Sequence, residues 1–159
     1  MTGKTHIMGG IASAAAVVHY QHYDPTIFII AGGAFGGAVL PDICHGGSKI
    51  GRRFPLISKV INTIFGHRTF THSLLFLLLV GYLLTLFTDN SSIIMGVLVG
   101  MVSHFILDAA TKNGIKLFYP VSITIRFPIT TKTGGTVENI VLLGGLTLVT
   151  IYFGKDLIL

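Results

Sequence analysis

Cysteine is almost missing from this sequence, and charge is thin. Its one cysteine, Cys44, excludes an intrachain disulfide framework. Only 11% of the 159 residues are charged and 51% are apolar, with a mean hydropathy of +0.78. A water-soluble domain of this length needs more charge than that on its surface. There is no acidic or basic tail and no low-complexity tract. The length suits one domain. Its apolar residues are bunched into long runs rather than spaced with a period of 2 or 3.6, so lipid is the solvent they imply.

Five such runs stand out, at about 7–20, 25–43, 72–88, 91–110 and 137–153. A helix crosses a bilayer in about 20 residues, with a working range of about 17–25. The second, fourth and fifth runs fit that range, the third fits when His72 is counted in, and the first is short and rich in Ala and Gly. None alternates polar and apolar as a barrel strand would. The expectation is an all-α, polytopic transmembrane helix bundle of about five spans, forming a single integral membrane domain over 1–159. Pro55–Phe65 carries apolar residues at helical spacing and predicts a short interfacial helix. Val121–Ile129 is β-branched and predicts a small extended or hairpin piece over the site. The stretch from Met1 through Val18 superficially resembles a signal peptide. We expect it to be retained, because His6 belongs with the other ionisable residues at the ends of the runs.

Charge placement agrees with the count of spans. Ten of the eleven Lys and Arg residues lie near the amino terminus, in 44–71 or in 111–136. Five spans put those three segments on one side, and the positive-inside rule makes that side cytoplasmic. The expected location is therefore the inner (cytoplasmic) membrane, multi-pass, with the amino terminus in the cytoplasm.

The glycines of Ala31–Ala38 are not a dinucleotide fingerprint, since no strand precedes them and the spacing is wrong. Gly32/Gly36, Gly33/Gly37 and Gly96/Gly100 form small-xxx-small pairs that let helices approach closely. The same faces would also serve a homo-oligomer.

On this topology the ionisable residues gather at one membrane face. They are His6, Asp42, His45, His67, Arg68, His72, His104, Asp108 and Glu138. An ionisable group at membrane depth costs about 2.5–3.5 kcal/mol on insertion scales and is a functional-site hypothesis by default. His104 and Asp108 are spaced i, i+4 and project from one helix face, where one cation could take both. His and Asp ligands suit zinc, manganese or iron. Blander readings stand beside this one. His104 and Asp108 could be a satisfied pair, Asp42 a cap, and His67 and Arg68 headgroup contacts. Glu138 could be a helix N-terminal acid.

Three motifs carry a family resemblance. They are Leu40-Pro41-Asp42-Ile43-Cys44-His45, Gly66-His67-Arg68-Thr69-Phe70-Thr71-His72-Ser73 and His104-Phe105-Ile106-Leu107-Asp108, the last followed by Gly114. With His6 and Glu138 they resemble the YdjM-type, LexA-regulated inner-membrane metal-dependent hydrolases. That family is distantly similar to zinc-dependent phospholipase C and single-strand nucleases. The resemblance implies His6, Asp42, His72, His104 and Asp108 as metal ligands, with His45, His67 and Glu138 in a second set. It implies one or two divalent ions, zinc or else manganese. Where the family has Asp-x-Asp-His, this chain has Asp42-Ile43-Cys44-His45, so Cys44 is either a thiolate ligand or a buried filler.

The mechanism expected from this is hydrolysis of a phosphoester by metal-activated water. Arg68 would hold a phosphate oxygen, and Asp42 or Glu138 would accept the water's proton. Lys49, Arg52 and Arg53 would draw in anionic headgroups. The partners expected are membrane lipids and a lipid or lipid-linked phosphoester, with no nucleic acid. A small metal or ion transporter and a non-catalytic scaffold with a structural metal are the alternatives. Transport would place ionisable residues near the bilayer midplane and on both sides of it.

Overall fold

The computed structural model describes residues 1–37, 39–66 and 68–154, with Val141 described by its backbone alone. His67, one of the expected site residues, lies outside the described residues. The chain is a helical membrane bundle, with no strand among the described residues.

Helix α1 covers Gly3–Tyr20. It starts one turn before its apolar run, because the polar Thr2–His6 segment is itself held against the last span. Asp24 caps α2 (Pro25–Ile30) by accepting from the Ile27 amide at 2.9 Å, with Pro25 in the first turn. The run then changes winding, to a π-helix over Ala31–Gly37 and a 3-10 turn over Pro41–Cys44. Ser48 caps the short α3 (Lys49–Arg53), and α4 follows over Pro55–Phe65. A 3-10 turn over Phe70–His72 leads into α5 (Leu74–Phe87), capped by Ser73. Helix α6 spans Ser91–Ala109 from its Asn90 cap. A π-helical stretch over Val137–Leu142 continues into α7, Leu143–Gly154.

Among the described residues, three stretches are long and apolar enough to cross a bilayer: Pro25–Cys44, Ser91–Ala109 and Val137–Gly154. The third expected span is shorter as a helix, 14 residues. His72 and Ser73 sit in the turn and cap before it rather than in it. As expected for an interfacial helix, α4 exposes Leu56, Ile57, Val60 and Ile64 along one face while Ser58 turns inward.

The inner layer is α1, the π-helical stretch and α6, packed through their glycines. A Cβ on Gly100 would run into the Gly32 carbonyl, and one on Gly36 into the Val97 carbonyl. These glycine faces are therefore used inside the chain. Met101, Phe105, Val97 and Ala109 of α6 pack with Ala31, Val80 and Ile115 on the inner side.

The 121–129 segment is extended, but it is not a hairpin. It pairs with the chain just after α6: Ile125 bridges Ile115 antiparallel, and Thr131 bridges Thr111. Phe127 and Thr131 donate to the carbonyls of Ala109 and Ala110 at 3.0 and 2.9 Å. A helix end leaves such carbonyls unpaired, so this segment caps α6 at the end that carries Asp108.

Candidate metal centre

Each ionisable group reaches one end of the bundle by a different local device. His6 lies in the first turns of α1. Asp42 follows Pro41 in the 3-10 turn, and His72 closes the turn before α5. His104 and Asp108 share a face of α6, one turn apart.

These five side chains converge. Asp108 Oδ1 is 3.2 Å from His6 Nε2, and its Oδ2 is 3.3 Å from His72 Nε2 and 3.7 Å from His104 Nε2. Asp42 Oδ1 closes the set at 3.9 Å from His72 Nε2 and 3.8 Å from His104 Nε2. The rings of His6 and His104 stack at 3.5 Å with 7° between planes. Candidate ligand atoms of His6, His104 and Asp108 lie within 4.8 Å of one another, as do those of Asp42, His72 and His104.

Do these residues fit a metal? Zinc held tetrahedrally at 2.0–2.1 Å separates its ligand atoms by about 3.3 Å, close to the spacings observed. His6 Nδ1 and His104 Nε2 are buried without a hydrogen-bond partner among the described residues. That is costly for a group meant only for packing. The groups behind the ligands also fit. His104 Nδ1 donates to the Gly37 carbonyl at 2.6 Å, which leaves Nε2 as the coordinating atom. Thr71 Oγ1 lies 3.1 Å from His72 Nδ1 and donates to Cys44 Sγ at 3.1 Å. Cys44 in turn donates toward the Pro41 carbonyl at 3.7 Å. Cys44 is thus a hydrogen-bonded support behind His72, and neither group of candidate ligands includes it.

Positive charge borders the cluster. Arg68 places Nη2 3.1 Å from Asp108 Oδ1 and Nη1 2.6 Å from Thr111 Oγ1. The Met1 ammonium also contacts Asp108 Oδ1. These two bonds use two of the five guanidinium N–H donors and hold Arg68 against the cluster, where it faces Asp108.

Glu138 stands apart from the cluster. Its Oε1 accepts from the Thr2 amide and the Thr5 hydroxyl, each at 2.6 Å, and its Oε2 accepts from the Gly134 amide at 2.7 Å. Fully buried and already accepting three hydrogen bonds, it is the clamp that seats the first turn of α1. A carboxylate at a helix N-terminus is favourably placed for that.

A cleft of about 530 Å³ opens over Asp42, with Lys4, His45, Lys49 and Arg52 in its walls. Asp42, 15% exposed, is the cluster member that faces it. Arg53 is exposed and outside this lining. The sequence reading overlooked Lys4, although its place half a turn before His6 was a usable signal. It also overlooked the Gly37 carbonyl and the Met1 amine, which have no side-chain signature.

The model of the YdjM inner membrane protein family matches residues 1–157. The Bacillus subtilis (strain 168) protein YvsG is 52% identical over 153 residues, covering 96% of this chain and 94% of that protein. The inner membrane protein YdjM of Escherichia coli (strain K12) is 34% identical over 139 residues, 81% of this chain and 70% of its own. The Shigella flexneri protein of that name gives the same values. No solved structure matches.

Proposed function

The chain belongs to the YdjM inner membrane protein family, and on that premise we propose that it is a membrane-embedded, metal-dependent hydrolase. Its substrate is a phosphoester of a lipid or lipid-linked molecule, cleaved at the cytoplasmic interface, with the amino terminus on that side. One observation carries the reading: His6, Asp42, His72, His104 and Asp108 converge, four of them all but fully buried. Gathering so many ionisable groups at membrane depth, at about 2.5–3.5 kcal/mol apiece on insertion scales, calls for a ligand that repays burial.

These five residues would hold the ion, zinc or manganese. His104 has only Nε2 to offer, and both candidate groups include it. The two groups therefore describe one nest around one ion better than two independent sites. When bound, the ion supplies Lewis acidity and lowers the pKa of a water toward neutrality. Asp42 turns Oδ1 to the imidazoles and borders the cleft, so it is placed to take a proton from a water there. Arg68 pairs with Asp108 at 3.1 Å and aligns it. Lys4, Lys49 and Arg52 attract an anionic headgroup to the cleft. A nuclease would more naturally offer a wide, solvent-exposed groove.

The test is elemental analysis of the detergent-purified protein, repeated on His104→Ala and Asp108→Asn. About one equivalent of metal, lost in both variants while the helical circular dichroism is kept, supports the reading. Hydrolysis assays on phospholipids and lipid-linked phosphates then address the reaction. A protein with no metal that gains none on titration would leave a polar network closed by Arg68 and the Met1 amine, and the hydrolase reading would fall.

A further inference from the structure

A second cavity adjoins the cleft. It measures about 370 Å³ and lies between α1 and α7, lined by Lys4, Ile7, Met8, Leu143 and Thr147. Lys4 and Ile7 also line the cleft over Asp42, so the two cavities share a wall one turn of α1 in height. The chemistry changes across that turn. On one side stand His45, Lys49 and Arg52; on the other, Ile7, Met8 and Leu143.

Thr147 does not interrupt the apolar side. Its hydroxyl donates to the Leu143 carbonyl at 2.8 Å, which turns the polar atom onto the backbone. In a bilayer the groove would open onto hydrocarbon rather than water. Helix α7 belongs to a stretch able to cross a bilayer, and none of its described residues is buried. Next to Leu143, a Cβ on Gly144 or Gly145 would meet no atom within 4 Å. At the far end α1 and α7 are closed by Phe153, whose ring lies 5.5 Å from His19 and 6.2 Å from Tyr20. The opening is thus confined to the end that carries the metal nest.

Any lipid tail could lie in an apolar groove. Selection comes from the shared wall, where a lysine can lay its methylenes along the apolar side and keep its ammonium toward the cleft. Resting on the hydrolase reading for the reaction that consumes the bound molecule, we infer that the α1–α7 groove is the tail site for an anionic amphiphile whose phosphate lies in the basic cleft. The substrate therefore enters sideways from the bilayer. A water-soluble phosphate would fill the cleft and leave the groove unused.

The sequence has no tryptophan, so one introduced indole reports without background. Leu148→Trp places it one residue from Thr147 on α7, at a side chain that is 69% exposed. Leu83→Trp on α5 is the lipid-facing control. Both proteins go into phosphatidylcholine nanodiscs with rising fractions of phosphatidate or phosphatidylcholine carrying brominated chains. The Leu148→Trp protein should be quenched at about a fivefold lower mole fraction of brominated phosphatidate than of brominated phosphatidylcholine, the preference one well-placed cation gives an anionic lipid. The Leu83→Trp protein should not distinguish the two lipids. Adding Lys4→Glu, Lys49→Glu and Arg52→Glu should abolish the preference.

Superimposed curves at Leu148→Trp, or a preference that survives charge reversal, overturn the tail site. Elemental analysis of the same nanodiscs separates the two readings. Metal without lipid preference leaves the hydrolase reading standing and removes the groove. Preference without metal does the reverse.

Discussion

His104 donates from Nδ1 to the carbonyl of Gly37, 2.6 Å away across the contact between α6 and the π-helical stretch. That bond fixes the ring so that Nε2 faces Asp108 and Asp42 at 3.7 and 3.8 Å. It exists because glycines let the two backbones come together. Packing and chemistry therefore depend on the same contact.

Adding a methyl group at this contact should harm both. Gly36→Ala and Gly100→Ala each push a Cβ into a carbonyl of the facing segment. The expected loss is about 1–3 kcal/mol, the usual cost of overpacking, together with a reduced metal content. Gly144→Ala, whose Cβ meets nothing within 4 Å, should change neither. Thermal unfolding in detergent, followed by helical circular dichroism, measures the first effect and elemental analysis the second. Similar melting of all three variants and the parent would refute the packing account.

The support behind His72 can be tested separately. Thr71 touches both His72 Nδ1 and Cys44 Sγ at 3.1 Å. Thr71→Val keeps the shape and removes the hydroxyl. Metal affinity should fall about 10–100-fold, the usual effect of losing such a partner, as read by competition with a chromogenic chelator. Cys44→Ser retains a donor and an acceptor and should stay near the parent. An unchanged affinity in Thr71→Val would mean that His72 does not ligate.

Much of the site was legible because ionisable residues stand out in apolar runs. His104 and Asp108 announced a shared face by their spacing alone. Asp42 and His72 were visible as the polar ends of hydrophobic stretches. Glu138 was visible too, but not its hydrogen bonds, since two of its three partners are backbone amides that any sequence supplies. The Gly37 carbonyl was hidden for the same reason. In the fold, α4 was readable from its apolar spacing. The change of winding in 25–44 was not, because hydropathy reports burial in lipid and is blind to whether a turn closes at four residues or five. Of the two forms expected at 121–129, extended or hairpin, the chain adopts the extended one, with Ile125 pairing to Ile115 rather than within the segment.

Acid should release the metal. Three of the five candidate ligands are imidazoles, and only the neutral ring coordinates, so binding competes with protonation. Affinity should fall as pH drops and the imidazoles take up protons. Isothermal titration with zinc in two buffers of different ionisation enthalpy counts the protons released. Binding that is flat from pH 8 to about pH 5 would point to carboxylates alone.

Arg68 offers the sharpest test, because its backbone and side chain pull in opposite directions. With φ at 59° it occupies the left-handed region, where a side chain costs about 1–2 kcal/mol. Glycine would remove that cost. Yet the guanidinium shares Asp108, itself 1% exposed, with the Met1 ammonium, and stripping a partner from a buried ion pair costs up to about 3–5 kcal/mol. The second effect is larger, so Arg68→Gly should unfold at a lower temperature than the parent despite its easier backbone. The loss should also be repairable. A divalent cation in the nest supplies the positive charge that Asp108 has lost, and a ligand that binds only the folded state stabilises it by mass action. Zinc should therefore raise the melting temperature of Arg68→Gly and leave that of Asp108→Asn where it was. Equal responses of the two variants to zinc would mean that the ion binds elsewhere, and the nest would lose its claim to it.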